Sequence, residues 1–153
     1  MQQHLNRLLM LFCASLLVVS GIAQAGDDYP YPKGQKVVYQ VDQISHASAA
    51  LRNVGHHLDA VGTPIEGRSK IAVVTHSGGV FMLLKGSTDR KGQLYEPRIQ
   101  NLMSKGVQFL QCANTLRGHD LHKSDLVDGV KIVPSGVAEI AERERNGYVF
   151  IKP

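Results

Sequence analysis

Cys112 stands where an apolar run, Val107 to Leu110, meets a helix-forming run that opens at Ala113 and closes on Gly118. A thiol at a strand-to-helix junction meets unpaired backbone N–H groups and the positive end of the helix dipole, and both favour the thiolate. The other cysteine of the chain, Cys13, lies inside an apolar leader and is expected to be lost with it. A lone mature thiol cannot form an intramolecular disulfide. The chemistry left to it is sulfur transfer as a persulfide, an intermolecular disulfide or covalent catalysis. The competing role is packing, since cysteine also fills buried space as a small hydrophobe.

Other reactive side chains gather near strand ends. His76 follows the apolar run Ile71 to Thr75 and precedes Ser77, Gly78 and Gly79. It can help deprotonate or orient Cys112, or serve as an ordinary loop histidine. Asp42 can orient such a histidine, although its place just before Ile44 suits a helix cap. Cys112, His119 and His122 raise the question of a metal. His-x-x-His alone is a weak pattern, however, and no second mature cysteine supports it, so neither metal nor cofactor is expected. His56 and His57 are expected on the outer faces of the first long helix. Gly78-Gly79 lacks the lysine of a phosphate-binding loop, and neither a dinucleotide fingerprint nor a serine-hydrolase elbow is present.

The first 25 residues read as an export signal. Residues 1–7 are polar with one basic residue, residues 8–23 are almost wholly apolar, and Ala23-Gln24-Ala25 fits the small-x-small cleavage rule. Cleavage after Ala25 implies a periplasmic or secreted protein with no stable membrane insertion. About 128 residues then remain, enough for one domain and too few for two. The formal net charge of the chain is +4, with its basic residues dispersed. That pattern gives no reason to expect nucleic acid as a partner.

The elements that must position these groups alternate between strand and helix. Residues 26–35, broken by Pro30 and Pro32, form an extended leader, and residues 36–153 form the domain. Strands are expected at Lys36–Val41, Ile71–Thr75, Val107–Gln111, Val130–Val133 and Tyr148–Ile151. Between them lie helices at Ile44–Val61, Val80–Leu84, Tyr95–Ser104, Ala113–Gly118 and Val137–Arg145. Strands without polar alternation, separated by helices, indicate an α/β fold with a mainly parallel sheet of about five strands, covered on both faces. Every strand's C-terminal end then falls along one edge, where open α/β sheets bind their ligands. Asp42, His76, Ser77, Gly78, Gly79, Cys112, Asn114 and Ser135 are expected there.

Gly106 to Gly118, a hydrophobic strand followed by Cys-Ala-x-x-Leu-Arg-Gly, resembles the active-cysteine segment of the DsrE/DsrF-like family, which includes sulfur-relay subunits. Val37–Val61, Ile71–Gly79 and Val130–Lys152 are similar to further parts of the same fold, so the resemblance covers nearly the whole mature chain. It implies a three-layer α/β/α sandwich, a homo-oligomer (trimer or dimer) and a cysteine that carries sulfane sulfur. Cys112 carries over as the sulfur carrier, with His76 where some exported members have a histidine. The expected function is an exported sulfur-handling protein that accepts and donates sulfur, with donor and acceptor unspecified. The alternatives are an oligomeric small-ligand-binding module of the same fold and a small metal-binding protein. An apolar last strand at a sheet edge also needs a partner, which favours self-association.

Overall fold

The computed structural model describes residues 31 and 34–153. The leader and cleavage site expected within residues 1–25 lie outside the described residues, as does most of the 26–35 segment. From Lys36 onward the chain builds β1 (Lys36–Val41), α1 (Ala47–Val61), β2 (Lys70–Thr75), α2 (Glu96–Ser104) and β3 (Gln108–Cys112). It continues with α3 (Ala113–Gly118), β4 (Lys131–Val133), α4 (Gly136–Arg145) and β5 (Val149–Ile151). Short 3-10 segments cover Ile44–His46, Ser77–Leu83 and Lys123–Asp125. The expected helix from Ile44 therefore opens with a tight turn. The one expected at Val80–Leu84 is a 3-10 helix that begins earlier, at Ser77. Gly78 and Gly79, poor α-helix formers, account for the tighter winding there.

The sheet has five strands in the order β4-β3-β2-β1-β5, and every pairing is parallel. From β1 the chain steps through β2 and β3 to β4, and then α4 carries it back across the sheet to β5 beside β1. Right-handed crossovers place the connections of the outward walk on one face and the returning helix on the other. Strand alternation agrees with this. Val37, Tyr39, Val41, Ile71, Val73 and Phe109 pack with residues of α1, α2 and the 3-10 segment in the larger core. Val38, Ala72, Val74 and Leu110 pack against Ile140 of α4. The result is a three-layer α/β/α sandwich with unequal layers.

α1 buries Ala47, Ala50, Leu51, Val54, Leu58 and Val61, the 3-4 spacing of one helical face. Each fully buried Val or Leu contributes roughly 1.5–3 kcal/mol of apolar transfer. Two polar side chains enter the same core beside the cysteine. Thr75 and Gln111 are both fully buried; the Thr75 hydroxyl donates to Gln111 Oε1 at 2.6 Å, and the Gln111 amide donates to the Cys112 carbonyl at 2.9 Å. Because their polar atoms are bonded to one another and to the backbone, the pair avoids the penalty of buried unsatisfied groups and fixes the chain where β3 ends.

The loop after β2 lies flat on the end of β1. A Cβ at Gly79 would stand 1.9 Å from the Val41 carbonyl oxygen, so the backbone itself must move before any side chain fits. Gly79→Ala is expected to lower stability by at least about 2 kcal/mol, measured by chemical denaturation. A wild-type midpoint would show that the loop moves aside at no cost.

Candidate functional site

Cys112 ends β3 and is the N-cap of α3, with extended backbone and 5% exposure. Register places it beside Val133 of β4, one step past the Thr75–Gln111 pair, so that His76 runs alongside it on the same side of the sheet. Gly136, the first residue of α4, closes over both. A Cβ there would stand 3.2 Å from the Cys112 Cβ and 3.2 Å from the His76 Cβ. Glycine lets the N-terminus of α4 approach the sulfur that closely. A second helix start is thereby added to the one the cysteine itself caps.

Burial pushes the Cys112 thiol up. Against it act N–H groups of Gly136 and Thr115, the Thr115 hydroxyl and the Asn114 N–H, all directed at the sulfur, and the net pKa lies below that of an ordinary thiol. Hydrogen bonds to the charged form outweigh desolvation here. Thr115 is held in turn, because the Ser77 N–H donates to its Oγ1 at 2.9 Å and leaves the hydroxyl proton for the sulfur. Ser77 sits at φ 48°, in the left-handed region that L-residues seldom occupy, and this turn aims its N–H at Thr115.

His76 takes part at one remove. The Gln40 amide donates to its Nε2 at 2.6 Å, so Nδ1 carries the proton and donates to Ser77 Oγ at 3.0 Å. The ring thus braces Ser77, which braces Thr115, while the hydrogen bonds that lower the thiol pKa come from other residues. Asp42 is not a cap. Gln43 precedes the 3-10 turn and makes no side-chain cap bond, whereas the Asp42 carboxylate takes Lys152 Nζ at 2.7 Å. The Lys152 ammonium holds Asp42 below the usual carboxylate range, against the opposing effect of burial. Ser135 N-caps α4 by accepting the Ala138 N–H. The Asn114 side chain pairs with Arg117, and its backbone N–H serves the sulfur. Gly78 faces the Asp42 carbonyl.

The remaining histidines lie elsewhere. His119 meets Phe81 edge-on at 5.1 Å between centroids. His57 is not on an outer face: its Nδ1 lies 2.7 Å from the Tyr39 hydroxyl and its Nε2 lies 2.9 Å from Gln35 Oε1. Burial lowers the His57 pKa and raises that of Tyr39, so the pair is neutral. Among the described residues no group of three or more His, Cys, Asp or Glu side chains is placed to hold a metal ion. Thr115 and Gly136 were missed by sequence reasoning. A hydroxyl three residues past an N-cap is a readable signal, but the approach of Gly136 depends on the path of α4.

Fold and site together define an α/β sheet protein with a buried, anion-stabilised thiol at the C-terminal edge of its strands. The chain belongs to the DsrE/DsrF-like family, whose model matches residues 30–153. A protein of unknown function from Methanobacterium thermoautotrophicum, MTH1491, is similar in structure with TM-score 0.68 and 30% identity, over 78% of this chain and 99% of that one. The ychN protein from E. coli matches with TM-score 0.62 and 16% identity, over 78% of this chain and 99% of that one. BT1422 from Bacteroides thetaiotaomicron, a conserved protein of unknown function, matches with TM-score 0.57 and 11% identity, over 78% of this chain and 95% of that one. The last two likenesses show the fold alone. No curated protein matches the chain.

Thr115→Val keeps the shape of the side chain and removes its hydroxyl proton. It is expected to raise the thiol pKa and to slow alkylation at neutral pH by up to about tenfold. Because the folded thiol ionises below the unfolded one, thiolate formation contributes stability that is complete above the ordinary thiol range. It is lost as pH falls through the folded pKa. Wild type should therefore gain on Cys112→Ser across that window. Unchanged alkylation in Thr115→Val would show that its hydroxyl does not serve the sulfur.

Proposed function

We propose that the mature protein is an exported, homo-oligomeric carrier of sulfane sulfur, held as a persulfide on Cys112. One observation carries the reading: the free cysteine of the described residues is favoured as an anion by donors from the starts of two helices, α3 and α4. Membership of a family that includes sulfur-relay subunits supports it. The Cys112 thiolate attacks the outer sulfur of a donor persulfide. The S–S bond of the donor breaks, a new S–S bond forms on Cys112, and the electron pair leaves on the donor thiolate. No outside oxidant is needed, and the reverse step hands the sulfur to an acceptor thiolate. The same N–H groups favour the anionic persulfide. With 5% exposure, Cys112 suits a small or extended donor better than a folded one.

Export rests on Ala23-Gln24-Ala25 and the apolar leader. Self-association rests on β5, whose Val149 and Phe150 are 62% and 37% exposed on an edge strand. Native mass spectrometry of a chain starting at Gly26 reads assembly and sulfur uptake together. It should show two or three subunits, a gain of about 32 Da per subunit after a sulfane donor, and loss of that mass with dithiothreitol. Cys112→Ser should assemble and gain nothing. A wild-type protein that takes up no sulfur from several donors would point to a ligand-binding module of the same fold.

A further inference from the structure

A cavity of about 400 Å³ lies between α1 and the polar segment ahead of α2, and its lining includes neither Cys112 nor His76. Arg52, Arg90, Lys91 and Arg98 all face it, against one carboxylate, that of Asp89. Asp89 is already engaged. Its Oδ1 accepts the Lys91 N–H at 2.9 Å and the Gln93 N–H at 3.0 Å, and its Oδ2 faces Arg98 at 3.4 Å and the Ser48 hydroxyl at 3.5 Å. This fastens the loop, and the Asp89 side chain is only 11% exposed. Arg98 is held as well, donating to the Ser48 carbonyl at 3.2 Å. Arg52, Arg90 and Lys91 have no ion-pair partner among the described residues.

Three uncompensated cations lining one concavity repel each other, and a bound anion relieves that repulsion. A single exposed ion pair is weak, so a monovalent anion gains little, whereas a multivalent one engages several cations at once. The guanidinium fork matches the oxygen pairs of phosphoryl and carboxylate groups. The volume falls within the range of small-molecule sites. We propose that this cavity binds a small multivalent oxyanion, a ligand with two or more phosphoryl or carboxylate charges.

Titration calorimetry at low ionic strength, with inorganic pyrophosphate and citrate as probes, tests this separately from the thiol chemistry. At least one probe should bind, and Arg52→Gln with Arg90→Gln should weaken it about tenfold or more. Lys131→Gln, on the β4 edge outside this cavity, should leave affinity unchanged. Binding of pyrophosphate alone assigns a phosphoryl ligand, binding of citrate alone a carboxylate one, and binding of both assigns recognition by charge. Wild-type alkylation of Cys112 in the double variant reports that it is folded, and Lys91→Gln serves as a milder variant. Failure of both probes to bind, or an equal loss in Lys131→Gln, would overturn the proposal.

Discussion

One sulfur atom receives backbone N–H groups from two helix starts, and the neighbouring architecture serves that convergence. α3 begins at the cysteine itself, so the Asn114 and Thr115 N–H groups point back at it. The contribution of α4 follows from topology: the chain must return from β4 to β5, and a right-handed return lays this helix over the second face of the sheet. Its first residue is Gly136, whose missing side chain lets the helix start settle against Cys112, His76 and Val74. A bulkier residue would have to displace one of them.

Two opposing effects meet at the thiol. Removal from water disfavours the anion, and fixed N–H dipoles favour it; at Cys112 the dipoles prevail. Such donors need no reorganisation when charge appears, because hydrogen bonds outside the site already fix them. Thr75 and Gln111 tie down the end of β3, and His76, Ser77 and Thr115 form a chain that orients one hydroxyl. The basic cavity beside α1 follows the opposite logic, with three exposed cations that have no ion-pair partner among the described residues.

Much of the fold was legible because its signals are local. Apolar runs bounded by glycine and proline mark the strands within a residue or two, and the 3-4 spacing of Ala47 to Val61 marks α1. Cys112 and His76 were placed on one edge by topology alone, and the structure sets them side by side. What stayed hidden depends on contacts between distant segments. Asp42 looked like a cap because sequence shows Ile44 two residues away and cannot show Lys152 folding back from the last strand. His57 looked solvent-facing because nothing local reveals that the Tyr39 hydroxyl reaches it from β1. Gly136 falls just ahead of the helix expected from Val137, with no local sign of the sulfur beneath it.

The chemistry of the site turns on how far the starts of two helices favour the Cys112 thiolate over the thiol. Titrating the ultraviolet absorbance of the thiolate in a chain starting at Gly26, with Cys112→Ser as the blank, reads it most directly. The midpoint is expected below that of an ordinary thiol, moving upward when the same titration is run in denaturant. A folded midpoint at or above the denatured one would contradict it, and would make Cys112 a packing residue whose burial outweighs its hydrogen bonds.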